Sequence, residues 1–75
     1  MFRRLRTLIA ETLGVEESEV VPEASFEDDL NADREEVVDL LVAIEEEFGV
    51  KVDDAVMTEL ETVGDLLEYL EDKLA

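Results

Sequence analysis

The string Asp29-Leu-Asn31-Ala-Asp33 spaces three oxygen-bearing side chains at the first, third and fifth positions of a calcium loop. Such a loop also wants glycine at its sixth position for a sharp turn and a bidentate glutamate at its twelfth. Those positions hold Arg34 and Leu40, so no metal site is expected beyond loose screening by divalent cations. Carboxylates are paired throughout the chain, but a catalytic acid needs surroundings that separate its pKa from its neighbour's. Every acid here falls on an expected polar face or in a loop. Ser18, Ser25 and the four threonines have no histidine to activate them, because the 75 residues include no His and no Cys. Gly14, Gly49 and Gly64 stand singly at helix ends or caps, so no glycine-rich phosphate loop is present. A self-contained enzyme is excluded on this reading, and no catalytic residue is expected.

Charge narrows the partners. The chain carries 23 acids against six bases, a formal net charge of −17. Arg3, Arg4 and Arg6 are clustered at the start, leaving Arg34, Lys51 and Lys73 as the only bases among all the acids that follow. Phosphate recognition needs clustered Lys and Arg, and anionic lipid repels such a surface. Nucleic acid and membrane are therefore excluded, and a basic protein surface is the expected partner. Disorder is disfavoured because 47% of residues are apolar and recur at helical spacing. No apolar run is long enough for a secretory signal or a membrane span. A cytoplasmic monomer forming one domain over residues 1–75 is expected.

The elements that must position any site follow from periodicity. Phe2, Leu5, Leu8, Ile9, Thr12 and Leu13 share one helical face, and Gly14 is a natural stop. Periodicity is lost over residues 15–32, which include Pro22. So long a connection in so small a chain must be held down, with Val15, Val20, Val21, Phe26 and Leu30 as candidates to cover the bundle and a helical turn possible within residues 14–20. Asp33 with Glu36 has the spacing of a capping box. A second helix follows with Val37, Leu40, Leu41, Ile44 and Phe48 inward, ending at Gly49. Val38 and Val42 lie at the edge of that stripe. Asp53 or Asp54 can cap a brief third helix through about Glu59, with Val56, Met57 and Leu60 inward. Thr62 with Asp65 opens the last helix, whose core positions are Val63, Leu66, Leu67, Leu70 and Leu74. The fold class expected is all-α: a small helical bundle with one long first connection and one short third helix.

Taken together, Leu13-Gly-Val15, Pro22-Glu-Ala-Ser-Phe26, Asp28-Asp-Leu-Asn-Ala-Asp33, the run from Val38 to Gly49, and Thr62-Val-Gly-Asp-Leu66 resemble the acyl carrier protein family over essentially the whole length. Each motif alone is ordinary helix punctuation; their order and spacing make the likeness specific. The resemblance implies a four-helix bundle with a short third helix. It also implies an Asp-Ser-Leu motif whose serine receives a phosphopantetheine arm from a phosphopantetheinyl transferase, the arm's thiol then carrying an acyl thioester. The sequence departs from the family at that motif, which reads Asp33-Arg34-Glu35. A guanidinium has no hydroxyl to accept the phosphoryl group and stays protonated. Ser25 lies upstream in the loop, and the family gives it no role as acceptor. No cofactor is therefore expected, although phosphopantetheine is the family's.

Three functions remain open on this basis. The chain is a carrier-like protein acting through protein–protein contact with the basic surface of a lipid-biosynthetic enzyme or a carrier-recognising protein. Alternatively it is an acyl carrier of fatty-acid or related biosynthesis in divergent or substituted form, or an acidic decoy that inhibits carrier-recognising enzymes. The expected partner-facing residues are Arg34, Glu35, Glu36, Val38, Asp39, Val42, Glu45 and Glu46; simple solvation explains the acids equally well, and peripheral packing the valines. Arg34 in the first helical turn opposes the helix dipole at a cost on the order of 0.3–1 kcal/mol, which the surrounding acids can offset. Self-repulsion at this net charge opposes compaction. Raising ionic strength from about 0.01 M to about 0.15 M shortens the screening length from about 30 Å to about 8 Å and should raise the melting temperature. A Tm indifferent to salt would contradict this.

Overall fold

The computed structural model describes residues 2–57 and 59–74, with the side chains of Asp54 and Met57 also outside the described set. Three helices of two turns or more carry the fold: α1 (Phe2–Leu13), α2 (Arg34–Phe48) and α4 (Val63–Leu74), with a single turn, α3 (Asp54–Met57), between the last two. A 3-10 turn, Glu17–Glu19, interrupts the long connection after α1. No strand occurs among the described residues; one isolated antiparallel bridge joins Ser25 to Thr62.

Each helix is delimited by local chemistry. α1 stops where Gly14 takes φ +69°, a left-handed conformation that costs glycine nothing, and the Val15 amide reaches back to the Ala10 carbonyl at 3.1 Å. Asp33 sits in extended backbone before α2, and its Oδ1 accepts the Glu36 amide at 2.9 Å, satisfying a donor that the first turn leaves orphaned. α2 ends on Gly49, again at φ +69°. At α4 the capping box is reciprocal: Thr62 Oγ1 accepts from the Asp65 amide at 3.2 Å, and Asp65 Oδ2 accepts from the Thr62 amide at 3.3 Å. The expected third helix is shorter than its pattern, ending at Met57 and followed by a turn in which the Glu59 amide donates to the Val56 carbonyl. The expected inward turn of Met57 lies outside the described residues.

α1 packs along α2, and the core they share takes Leu5, Ile9 and Leu13 from one and Leu40, Leu41 and Ile44 from the other. α4 adds Val63, Leu66 and Leu70, all fully buried. Two positions expected inside are not. Leu74 is 44% exposed because α4 runs past the end of the core, and Val21 is 40% exposed in the turn before Ala24. Of the residues expected to hold the connection, Val20, Phe26 and Leu30 are buried, and Ala24 and Ala32 are buried beside them.

Backbone hydrogen bonds fasten that connection to the start of α4. The Phe26 amide donates to Glu61, that of Val63 to Ala24, and that of Gly64 to Pro22, at 2.9–3.1 Å. α1 contributes two ties of its own. Arg4 Nη2 meets Glu47 Oε1 at 2.8 Å, with its guanidinium carbon 4.9 Å from the Phe48 ring centroid, placing a cation over the carbonyl end of α2 where the dipole favours it. Thr7 Oγ1 donates to Glu17 at 2.8 Å and Arg6 Nε approaches the same carboxylate at 3.8 Å. The pairs are at least partly exposed, so each is a small contribution; the first ties the start of α1 to the end of α2, and the contacts to Glu17 fix where the connection leaves α1.

The close approach at Pro22 makes Gly64 a structural requirement. A Cβ on Gly64 would lie 3.0 Å from the Pro22 carbonyl oxygen, which is itself held by the Gly64 amide and has little room to retreat. Gly64→Ala is expected to lower unfolding free energy by about 1–2 kcal/mol, despite alanine's better helix propensity. Urea denaturation checks this; unchanged or increased stability would contradict the close packing.

Candidate functional site

The residues expected to face a partner all lie on α2 or its first turn, and accessibility divides them. Arg34, Glu35, Val38, Asp39, Val42 and Glu46 are exposed. At 3.6 residues per turn, Arg34, Val38, Val42 and Glu46 follow one i, i+4 row, and Glu35 and Asp39 flank it. The result is two valines, 41% and 48% exposed, bordered by carboxylates. Glu36 and Glu45 are half-buried and stand apart from that row. The Glu36 amide receives the Asp33 cap, while Glu45 Oε2 accepts the Val52 amide at 3.2 Å. Glu45 thus ties the chain after α2 back to the helix.

Arg34 is the first residue of α2, directly after the Asp33 cap. Among the described residues it enters no ion pair, in contrast to Arg4 and Arg6. It opens onto a groove of ≈ 940 Å³ at the head of the helix. The groove runs between the 25–34 segment, the first two turns of α2 and the segment that leads into α4, with Phe26, Ala32, Val37, Leu41 and Leu60 beneath it. Sequence reasoning assigned Phe26 and Leu60 to the core and did not anticipate the groove. No periodic signal connects residues so far apart; the backbone bonds between the two segments, that of the Phe26 amide to the Glu61 carbonyl among them, bring them together.

The acids of the calcium-like string serve the backbone. Asp29 Oδ2 accepts the Ser25 amide at 2.7 Å, and Asp33 caps α2. Asn31 between them takes φ +53°, a left-handed conformation that asparagine tolerates better than most residues, and the chain then turns so that the Ala32 amide reaches the Phe26 carbonyl at 2.8 Å. Ser25 also lines the groove, but its Oγ already accepts the Asp28 amide at 3.2 Å. No residue of α2 carries a hydroxyl group.

The sequence that builds this arrangement resembles known proteins. Residues 3–70 match the family described as "Phosphopantetheine attachment site". The acyl carrier protein of Thermotoga maritima is 50% identical over 74 residues, covering 99% of this chain and 91% of that protein. The chain belongs to the acyl carrier protein family. Membership makes it a carrier-type protein and not an enzyme. No helix among the described residues is long and apolar enough to cross a membrane.

Proposed function

We propose that this chain keeps the acyl carrier scaffold, a single-domain four-helix bundle in which α3 is the short third helix, but cannot carry phosphopantetheine at the head of α2. It acts by contact with a basic surface on an enzyme of lipid or related biosynthesis, or on another protein that recognises carriers. The observation that carries this reading is the chemistry of one position. Family resemblance puts the attachment serine immediately after Asp33, where Arg34 stands. A guanidinium has no hydroxyl and is not a nucleophile for this transfer, and α2 offers no hydroxyl. The nearest candidate in the groove, Ser25, has its oxygen engaged by the Asp28 amide. The prosthetic group does not fit the residues present.

What survives the substitution is the recognition surface. Val38 and Val42 are exposed among Glu35, Asp39 and Glu46, and an apolar centre bordered by one sign of charge suits docking in which electrostatics guides the encounter and apolar contact holds it. Asp33 still caps the helix, so the head of α2 is built as though for its relatives' chemistry. A cytoplasmic monomer is the state in which this surface is free. The 50% identity to a protein named as an acyl carrier favours a second reading, in which the chain is a carrier in altered form whose scaffold remains competent.

The intact mass after incubation with coenzyme A and a broad-specificity phosphopantetheinyl transferase separates the cases. The chain as it stands should gain nothing, and a double variant Arg34→Ser with Glu35→Leu should gain one phosphopantetheine. Modification of the unsubstituted chain would overturn the non-carrier reading. A double variant that folds yet stays unmodified would show that recognition by the transferase has been lost as well.

A further inference from the structure

Half of the chain's six cations, Arg3, Arg4 and Arg6, lie within its first six residues, and Thr7 follows them directly. α1 places the Thr7 hydroxyl at a junction. Thr7 Oγ1 donates to Glu17 Oε1 at 2.8 Å, and Arg6 Nε stands 3.8 Å from the same oxygen, buried and without a hydrogen bond. One carboxylate therefore faces two groups of α1 and fully satisfies only one. Arg3 is exposed and, among the described residues, enters no ion pair. Four residues before Thr7, it lies one turn back on the same helical face.

What the junction holds is the start of the long connection. Glu17 opens the 3-10 turn Glu17–Glu19, its carbonyl accepts the Val20 amide at 3.0 Å, and Val20 is buried in the core. A phosphoryl group on Thr7 would remove the hydroxyl donor and set about −1.5 to −2 charges where the Glu17 carboxylate sits. Like charge expels Glu17, while Arg6 and Arg3 gain an oxyanion of the kind that guanidinium groups hold best. The sequence around the hydroxyl agrees. Arginines at positions 3, 4 and 6, just before the acceptor, are a charge pattern that an arginine-selecting protein kinase reads through an acidic substrate cleft. Such a cleft takes its substrate extended, so the first two turns of α1 must open. The first turn carries Arg3 and Arg4 and no acid, an arrangement that opposes the helix dipole and lowers the cost of that opening.

We propose that Thr7 is a phosphorylation site, and that its phosphate releases the Glu17–Glu19 turn from α1 by taking the place of the Glu17 carboxylate beside Arg6. A protein kinase supplies the group from ATP. Thr7 Oγ1 attacks the γ-phosphorus, the bond from that phosphorus to the β,γ-bridging oxygen breaks, ADP leaves, and the hydroxyl proton passes to a carboxylate of the kinase. The site is independent of Arg34 and of the head of α2. The backbone bonds of Phe26, Val63 and Gly64 lie further along the connection and stay closed, so the change is confined to its first part.

The full chain, incubated with ATP, magnesium and an arginine-selecting protein kinase, tests this by intact mass and fragment mapping, beside a peptide of residues 1–11. Both should gain one phosphate, on Thr7. The full chain should react roughly tenfold or more slowly, because opening α1 through Thr7 releases the buried Leu5. Arg3→Gln breaks no ion pair of the fold and should slow the reaction by roughly twofold to fivefold, the scale of one exposed charge pair; Thr7→Val should gain nothing. Hydrogen exchange on the phosphorylated chain should then show the Glu19 and Val20 amides exchanging roughly threefold to tenfold faster, with those of Phe26, Val63 and Gly64 unchanged. A modified peptide beside a full chain that stays unmodified at roughly a hundredfold higher kinase concentration would overturn the proposal. Modification of neither, or phosphate on another hydroxyl, would overturn it as well. Phosphate on Thr7 with unchanged exchange at Glu19 and Val20 would overturn the release of the turn.

Discussion

Three amides, those of Phe26, Val63 and Gly64, donate across the gap between the long connection and the start of α4, and the rest of the molecule depends on those bonds. A connection this long pays conformational entropy for every residue it orders, and a chain this small has little core with which to compensate. Burial of Val20, Ala24, Phe26, Leu30 and Ala32 supplies the apolar part. The clasp fixes the path of the backbone, and with it the direction from which residues 31–33 enter α2. Asp33 can cap the helix only because the preceding turn, with Asn31 in the left-handed region, delivers it there.

The same clasp creates the groove. Phe26 and Leu60 are far apart in the chain and are brought to one place by the bond between the Phe26 amide and the Glu61 carbonyl. Arg34 then stands where two structures meet, as the first residue of a helix whose outer row is Val38 and Val42, and as a cation on the edge of an apolar depression. The geometry of the helix head is set by the Asp33 cap and by backbone bonds that do not involve the Arg34 side chain.

The helices were legible in the sequence because their signals are local. The Asp33–Glu36 and Thr62–Asp65 spacings gave helix starts, glycines 14 and 49 gave stops, and Leu5, Ile9, Leu40, Ile44, Leu66 and Leu70 fell at core positions by periodicity alone. Leu74 fits the same periodicity and lies outside, since period says which face a residue takes and not where the core ends. The third helix is expected through about Glu59, whereas the described helical turn is Asp54–Met57 and Glu59 lies in a turn. Tertiary features left weaker traces. Arg4 reads as a polar-face residue, and only the packing of α1 on α2 reveals its reach to Glu47 and Phe48. Glu45 and Glu46 are indistinguishable in sequence, yet Glu45 holds the Val52 amide while Glu46 faces outward. The role proposed for Arg34 rests on family resemblance, because nothing in its own spacing marks it out.

Native-state hydrogen exchange, resolved by residue, tests most directly whether the clasp governs the head of α2. If it does, the amides of Phe26, Val63 and Gly64 exchange only by openings nearly as costly as those that release the buried turns of α1 and α2, and the Glu36 amide at the Asp33 cap follows them. Exchange of these amides at the rates of an open loop, while the helices stay protected, would contradict the clasp and leave the placement of Arg34 without its physical support.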